Sequence, residues 1–241
     1  MDRVRNLDRY LSAHFSDQAV RAEVAQPTAW PFVTISRQAG AGAHALASAL
    51  LANFAEQADV ELFAGWQVFD SELCELVAED PTYAAGMSAL IAEQYRTRTT
   101  EFFGQVLSPT IDQDMLMNRV FRVVAAVASA GKSIIIGRAG SEVTRGLGTG
   151  LSIRLVAPEA VRIIGMMDHY GLDERAAQRE ARRLDAARAR LLKTHFQADI
   201  DDPLRYDVTW NTGAVPVPVI AATVTAAIRR LASPAHVKTA P

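Results

Sequence analysis

Residues 31 to 50, PFVTISRQAGAGAHALASAL, constrain the fold more than any other stretch of the chain. Phe32-Val33-Thr34-Ile35 is a short apolar, β-branched run of the kind that forms a buried strand. Gly40-Ala41-Gly42 follows and supplies a bend that larger side chains resist. The next segment is rich in Ala and Leu, with Leu46, Leu50 and Phe54 recurring every four residues along one helical face. Strand, glycine turn and helix in this order make a cradle in which main-chain N–H groups and the positive helix end face an anion. The same order also serves as a plain tight turn leading into a core helix.

The loop departs from the Walker A pattern G-x-x-x-x-G-K-[ST]. Aligned on Gly42, Arg37 holds the first glycine position, Ala43 the lysine position and His44 the hydroxyl position. The usual ammonium and the usual Mg²⁺ hydroxyl are therefore missing, and Arg37 and His44 are the nearby replacements. A second glycine-lysine-serine, Gly131-Lys132-Ser133, is a decoy. There a helical segment precedes the lysine and the strand-like Ile134-Ile135-Ile136 follows it, the inverse of what a phosphate loop needs. Gly131 reads as a helix C-cap, and Lys132 as a cation complementing that helix's dipole.

The chain has 241 residues, 49% hydrophobic and 22% charged, enough for one large α/β domain. A net charge of −2 gives no global pull toward nucleic acid or anionic membrane, so neither is expected as a partner. The single Cys74 excludes an internal disulfide framework and a cysteine-based zinc site. The five histidines show no metal-ligand spacing. No apolar run approaches the ~18 residues of a spanning helix, and the N-terminus does not read as a signal peptide. A cytoplasmic setting is the expectation that follows.

Residues 7 to 25 read as an amphipathic helix or helix pair, packing on the domain or on a second subunit, so a homodimer is one expectation. Trp66 to Asp70 is a second short strand ending in a carboxylate. Asp70 is either a ligand group at a strand C-terminus or a helix-capping carboxylate. Residues 84 to 130 hold helical material longer than a simple crossover, read as an insert, with Arg96 and Arg98 as an anion-binding pair or a solvated face. Ser133 to Gly137 is a buried strand with Arg138 just past its end. Leu151 to Val156 is the fourth strand, and Pro158 opens the following helix in an N1-type position. Gly171 closes that helix and Asp173 starts the next.

Arginine crowds residues 175 to 190, against only Glu174, Glu180 and Asp185. Arg182, Asp185 and Arg188 fall at i, i+3 and i+6, near one another on a helix surface. Arginine is the residue of bidentate phosphate contact, although a salt-bridged surface helix also accounts for the pattern. Tyr206 to Trp210 is a fifth strand, Ala214 to Pro218 an extended connector, and VIAATVTAAIRRLA a final helix. Five short strands separated by helices predict a parallel, doubly wound α/β sheet.

TISRQAGAGAH, FDSEL, GRAG, RRLDAARAR and HFQADIDDPLRYDVTWNT, in this order, resemble the cytidylate kinase-like family, over about residues 31 to 232. The resemblance implies a P-loop NTPase-like three-layer αβα fold, with five parallel strands in the order 2-3-1-4-5, a helical insert and an arginine-rich lid. It implies a kinase-like domain at 31–232 with an acceptor-binding insert near 71–115 and a lid near 172–200; outside it, the residue pattern gives a helical extension at 1–30 and a flexible tail at 233–241. Carried over by position, Ser36, Arg37, Gly40, Ala41, Gly42, Ala43 and His44 match the ATP phosphate loop. Asp70 and Arg138 match the acceptor side, and Arg182, Asp185 and Arg188 match catalytic lid positions. ATP and Mg²⁺ are the implied cofactors, with Asp70 and Asp207 as water-mediated metal candidates and no direct metal ligand assigned. The implied activity is phosphoryl transfer from ATP to a nucleoside monophosphate or other small acceptor. A nucleotide-binding pseudokinase with a regulatory role is the alternative, and a purely structural partner-binding domain using the helix at 7–25 is a third.

Overall fold

The computed structural model describes residues 30–70 and 112–232, with side chains in the second span from residue 117. The expected N-terminal helix, the Arg96–Arg98 pair, most of the insert and the tail lie outside the described residues.

The elements run β1 (Phe32–Arg37), α1 (Ala43–Ala55), α2 (Val60–Phe63), β2 (Gln67–Phe69), α3 (Asp112–Ala130), β3 (Ser133–Ile136), α4 (Gly140–Val143), β4 (Gly150–Val156), α5 (Glu159–Tyr170), α6 (Glu174–Phe196), a 3-10 turn (Pro203–Arg205), β5 (Val208–Asn211) and α7 (Val217–Leu231). The five strands form one sheet in the order β2-β3-β1-β4-β5. Every pairing is parallel, with Ile35 opposite Ile136 on one side of β1 and Ile153 on the other. The order reverses direction at β1, which places the ends of β1 and its neighbours at the crevice where such sheets bind ligands.

Alternation along the strands fills two layers. Val33, Ile35, Ile134, Ile136, Ile153 and Leu155 face a core built with α1 and α7, around Leu46, Leu50, Phe54, Ile220 and Ile228. Phe32 and Ile135 face the opposite core, where Val120, Phe121, Val124 and Val127 of α3 meet Leu192 of α6. A third cluster joins Ala39 of the glycine loop to Ile163 and Met166 of α5 and to Ala177 and Ala181 of α6. Small residues on α6 let it lie close to α5 at this end.

The ends of several elements follow the sequence signals. Asp173 caps α6 by accepting from the Ala176 N–H at 2.8 Å. Pro158 is the N-cap residue of α5 rather than its first helical residue. The expected extended connector at 214–218 is shorter: α7 already begins at Val217, because Pro218 in a first turn has no N–H for the helix to leave unpaired. Lys132 is also corrected. Its Nζ donates to the Glu61 carbonyl of α2 at 2.6 Å and lies over the Trp30 ring, so it complements the end of a different helix. Burial lowers the pKa of this ammonium.

Candidate functional site

The glycine loop sits between β1 and α1, and much of it is held by protein contacts. Gln38 N donates to Leu155 O at 2.9 Å and Ala41 N to Gln38 O at 3.2 Å. Ala39 N donates to Asp185 Oδ1 at 2.7 Å. Gly40 is dictated by packing: a Cβ there would stand 2.0 Å from the Arg162 carbonyl oxygen, and one on Gly165 would stand 2.6 Å from the Gly40 oxygen. Loop and α5 therefore meet backbone to backbone. Gly42, the N-cap of α1, faces open space. No acceptor for the amides of Gly40, Gly42 and Ala43 is found among the described residues, as the first turn of a helix leaves its donors open.

Beside this loop, at the same ends of β1 and β3, arginines crowd together. The Arg37 guanidinium lies against Gly137, so closely that a Cβ there would be 1.9 Å from its Nη1. Among the described residues Arg37 has no hydrogen bond and no ion pair. Burial, and then the charge of Arg188, push it down to about 9, with Arg138 adding to the effect; Tyr170 and Asp70 pull the other way. Arg188 is likewise lowered, chiefly by burial, with Asp185 opposing. Arg138 and Ala139 both take left-handed φ values, 50° and 53°, directly after Gly137 at 81°. Strain of this kind in non-glycine residues persists only where the surroundings enforce it. A cavity of about 40 Å³ lies here, with Thr34, Ser36, Arg37, Arg138, Ser141 and Arg188 among its walls.

Asp185 joins this cluster to the loop. Its carboxylate accepts the Ala39 amide, Arg162 Nη1 at 2.6 Å and Arg188 Nη1 at 3.2 Å. Arg182, three residues before it, is exposed on α6 and is not brought to the site. Ser36 has its hydroxyl engaged: Arg154 Nη1 donates to Ser36 Oγ at 3.1 Å, and Ser36 Oγ donates to Tyr206 Oη at 3.4 Å. Arg154 also reaches Asp201 at 2.6 Å, and Tyr206 donates to the Ile200 carbonyl at 2.9 Å. Burial pushes the Tyr206 hydroxyl up.

His44 stacks on His169, with centroids 5.2 Å apart and planes 13° apart, and His169 meets Tyr170 edge-on at 4.5 Å. Ala41 and Ala43 are buried beneath the loop, so neither presents a side chain to a ligand. Asp70 follows β2 at the correct end of the sheet and acts on Arg37 through its charge. Asp207 does not belong with it. It precedes β5, at the strand's opposite end, and its carboxylate accepts Ser152 N at 2.9 Å. Among the described residues no group of three His, Cys, Asp or Glu side chains stands ready to hold a metal. Of the sequence's metal candidates only Asp70 stands at this end of the sheet, and the described residues by themselves do not form a Mg²⁺ coordination shell.

Sequence reasoning missed Arg154, Arg162, Tyr170, Asp201, Tyr206 and Ser141. Arg154 did carry a signal, since an arginine inside the apolar run LSIRLV demands a buried partner. The others are brought in by tertiary packing.

A family model described as the cytidylate kinase-like family matches residues 32–214. Among solved structures, an uncharacterized protein from Eubacterium ventriosum superposes with a TM-score of 0.64 at 18% identity, covering 83% of this chain and 98% of that one. That likeness is one of fold. No curated protein matches the sequence.

Proposed function

The chain belongs to the cytidylate kinase-like family, and from that premise we propose that it is an ATP-dependent phosphotransferase acting on a small phosphate-bearing acceptor of the nucleoside monophosphate type. One observation carries this reading: Arg37, Arg138 and Arg188 converge at the C-terminal end of the sheet with Asp185 as the carboxylate among them. Like charges brought together out of water call for an anion to match them. The open amides of Gly42 and Ala43 stand beside this cluster and offer a second anion position.

Phosphoryl transfer asks for positioning and charge neutralisation more than for covalent chemistry. In this site Arg138 would hold the acceptor phosphate, Arg188 would stand at the transferred phosphoryl group, and Arg37 would take the place of the loop lysine between donor and acceptor. A single arginine at the transferred group is typically worth ~10³ to 10⁵ in rate. Asp185 orients Arg188 and Arg162 rather than meeting substrate itself. Mg²⁺, when carried in with ATP, would supply charge neutralisation at the donor phosphates. The described residues offer it only Asp70, and no step is assigned to it.

A second reading is favoured by a specific observation. Asp185 already occupies the Ala39 amide, and α5 closes the loop at Gly40. A loop so engaged, with no ammonium, suits a nucleotide-binding pseudokinase. Purified protein incubated with ATP, Mg²⁺ and a panel of nucleoside monophosphates separates the two. Acceptor-dependent ADP release supports the phosphotransferase. A nucleotide-dependent rise in melting temperature without ADP release supports the pseudokinase. Neither response defeats both.

A further inference from the structure

Two hydroxyl-bearing side chains line the arginine cavity, and one of them is buried with nothing to bond to among the described residues. Thr34 is 1% exposed, and its Oγ1 has no hydrogen-bond partner among the described residues. Ser141 is 6% exposed and its residue forms part of the same cavity wall. Both line the 40 Å³ cavity, together with Arg37, which has no acidic partner of its own there. Gly140 brings the two hydroxyl-bearing elements together, since a Cβ on it would lie 3.3 Å from the Thr34 side chain.

Buried hydroxyls are almost always satisfied, and an unmade hydrogen bond in such a place is destabilising. The Thr34 hydroxyl, with Ser141 on the same cavity wall and the like charges of Arg37, Arg138 and Arg188 beside it, defines the missing partner. Water alone would satisfy the hydroxyls and leave Arg37 repelled by Arg188 and Arg138. The volume suits roughly three waters, which is the number of terminal oxygens on a phosphate monoester. A hydroxyl donates to such an oxygen without adding charge.

We propose that Ser141, with Thr34 on the sheet floor, supplies the neutral hydroxyl ligands of a phosphate monoester whose charge Arg37 meets. The proposal rests on the phosphotransferase reading above and adds ligands that the family resemblance does not supply. Arg37 and Arg188 attract any anion. The hydroxyls select one with three terminal oxygens over a carboxylate or a phosphodiester.

The test is calorimetric titration of the full chain with inorganic phosphate and with cytidine 5′-monophosphate, alongside an ADP-release assay. Ser141→Ala is expected to weaken both probes about tenfold, the range for a hydrogen bond to a charged group, with its melting temperature unchanged. Thr34→Val exchanges the unpaired hydroxyl for a methyl of the same shape. It is expected to melt no lower than wild type and to bind both probes about threefold more weakly. If either folded variant binds both probes as wild type does, the proposal is overturned. Loss for the nucleotide alone moves the hydroxyls to the nucleoside and also overturns it. Wild-type protein that releases no ADP, yet loses phosphate affinity in both variants, defeats the phosphotransferase and leaves the hydroxyl site standing.

Discussion

Asp185 Oδ1 accepts the Ala39 amide at 2.7 Å, joining residues 146 positions apart. The same carboxylate holds Arg162 and Arg188, so one side chain fixes α6 to both the glycine loop and α5. Asp185→Ala should lower stability by about 2 kcal/mol, because three donors lose a charged acceptor. Hydrogen exchange at the Ala39 amide should accelerate with it. Unchanged exchange there would show that the loop is held by something else.

Gly137→Ala and Gly42→Ala form a matched pair. Both glycines take left-handed φ, 81° and 82°. Each substitution should cost about 1 kcal/mol in denaturant titrations from backbone strain alone. Only Gly137→Ala also expels the Arg37 guanidinium, since open space surrounds a Cβ at 42. Weaker binding of inorganic phosphate by Gly137→Ala but not by Gly42→Ala is the expected result. Equal losses would remove Arg37 from the phosphate site.

Arg188→Ala should reduce turnover at least 10³-fold, the low end for an arginine at the transferred phosphoryl group. Arg182→Ala should leave stability within about 0.5 kcal/mol, as for other exposed positions. The decisive measurement is its turnover: a large loss would mean that α6 shifts to bring Arg182 into the site during catalysis.

Arg37 gives a pH signature. Its folded pKa is lowered to about 9, below the ordinary arginine value. Above pH 9 the unfolded chain therefore holds more protons than the folded one, and stability should rise with pH in that window. Below 9 the penalty of the buried charge is fully present. Arg37→Met lacks this dependence, so the wild-type-minus-variant difference in unfolding free energy isolates it. The variant should also melt no lower than wild type at pH 7 while losing phosphate binding. Wild-type affinity for phosphate should decline as pH passes about 9. A flat difference curve would contradict the burial of the Arg37 charge.

Most strands were legible as short apolar runs with turn residues or an acid at their ends, whereas the sheet order came from the family resemblance. Ile134-Ile135-Ile136 can hardly be anything else. The ends of the strands also pointed to the crevice where Arg37 and Arg138 meet. Sequence could not show why Gly40 is a glycine. The bend suggested a phosphate, whereas the Arg162 carbonyl occupies that space, a contact between segments more than a hundred residues apart. Asp207 misled for a related reason: it lies near the end of the chain, yet at the wrong end of its strand. Arg182 and Arg188 share a helical spacing, but only the second turns toward the cavity, and spacing alone does not say which way a helix is rolled. Thr34 and Ser141 gave no sign at all, because a cavity wall and an unsatisfied hydroxyl such as that of Thr34 exist only once everything around them is placed.

The crossing of Gly40 and Gly165 decides how a ligand gets in. Two main chains in direct touch leave no slack, so that flank of the mouth is sealed and cannot be pried apart by a guest molecule. Entry is left to the side of Gly42, where a bulkier residue would meet only solvent. Tolerance at 42 alongside intolerance at 40 and 165 in a mutational scan would map the doorway without any ligand being known.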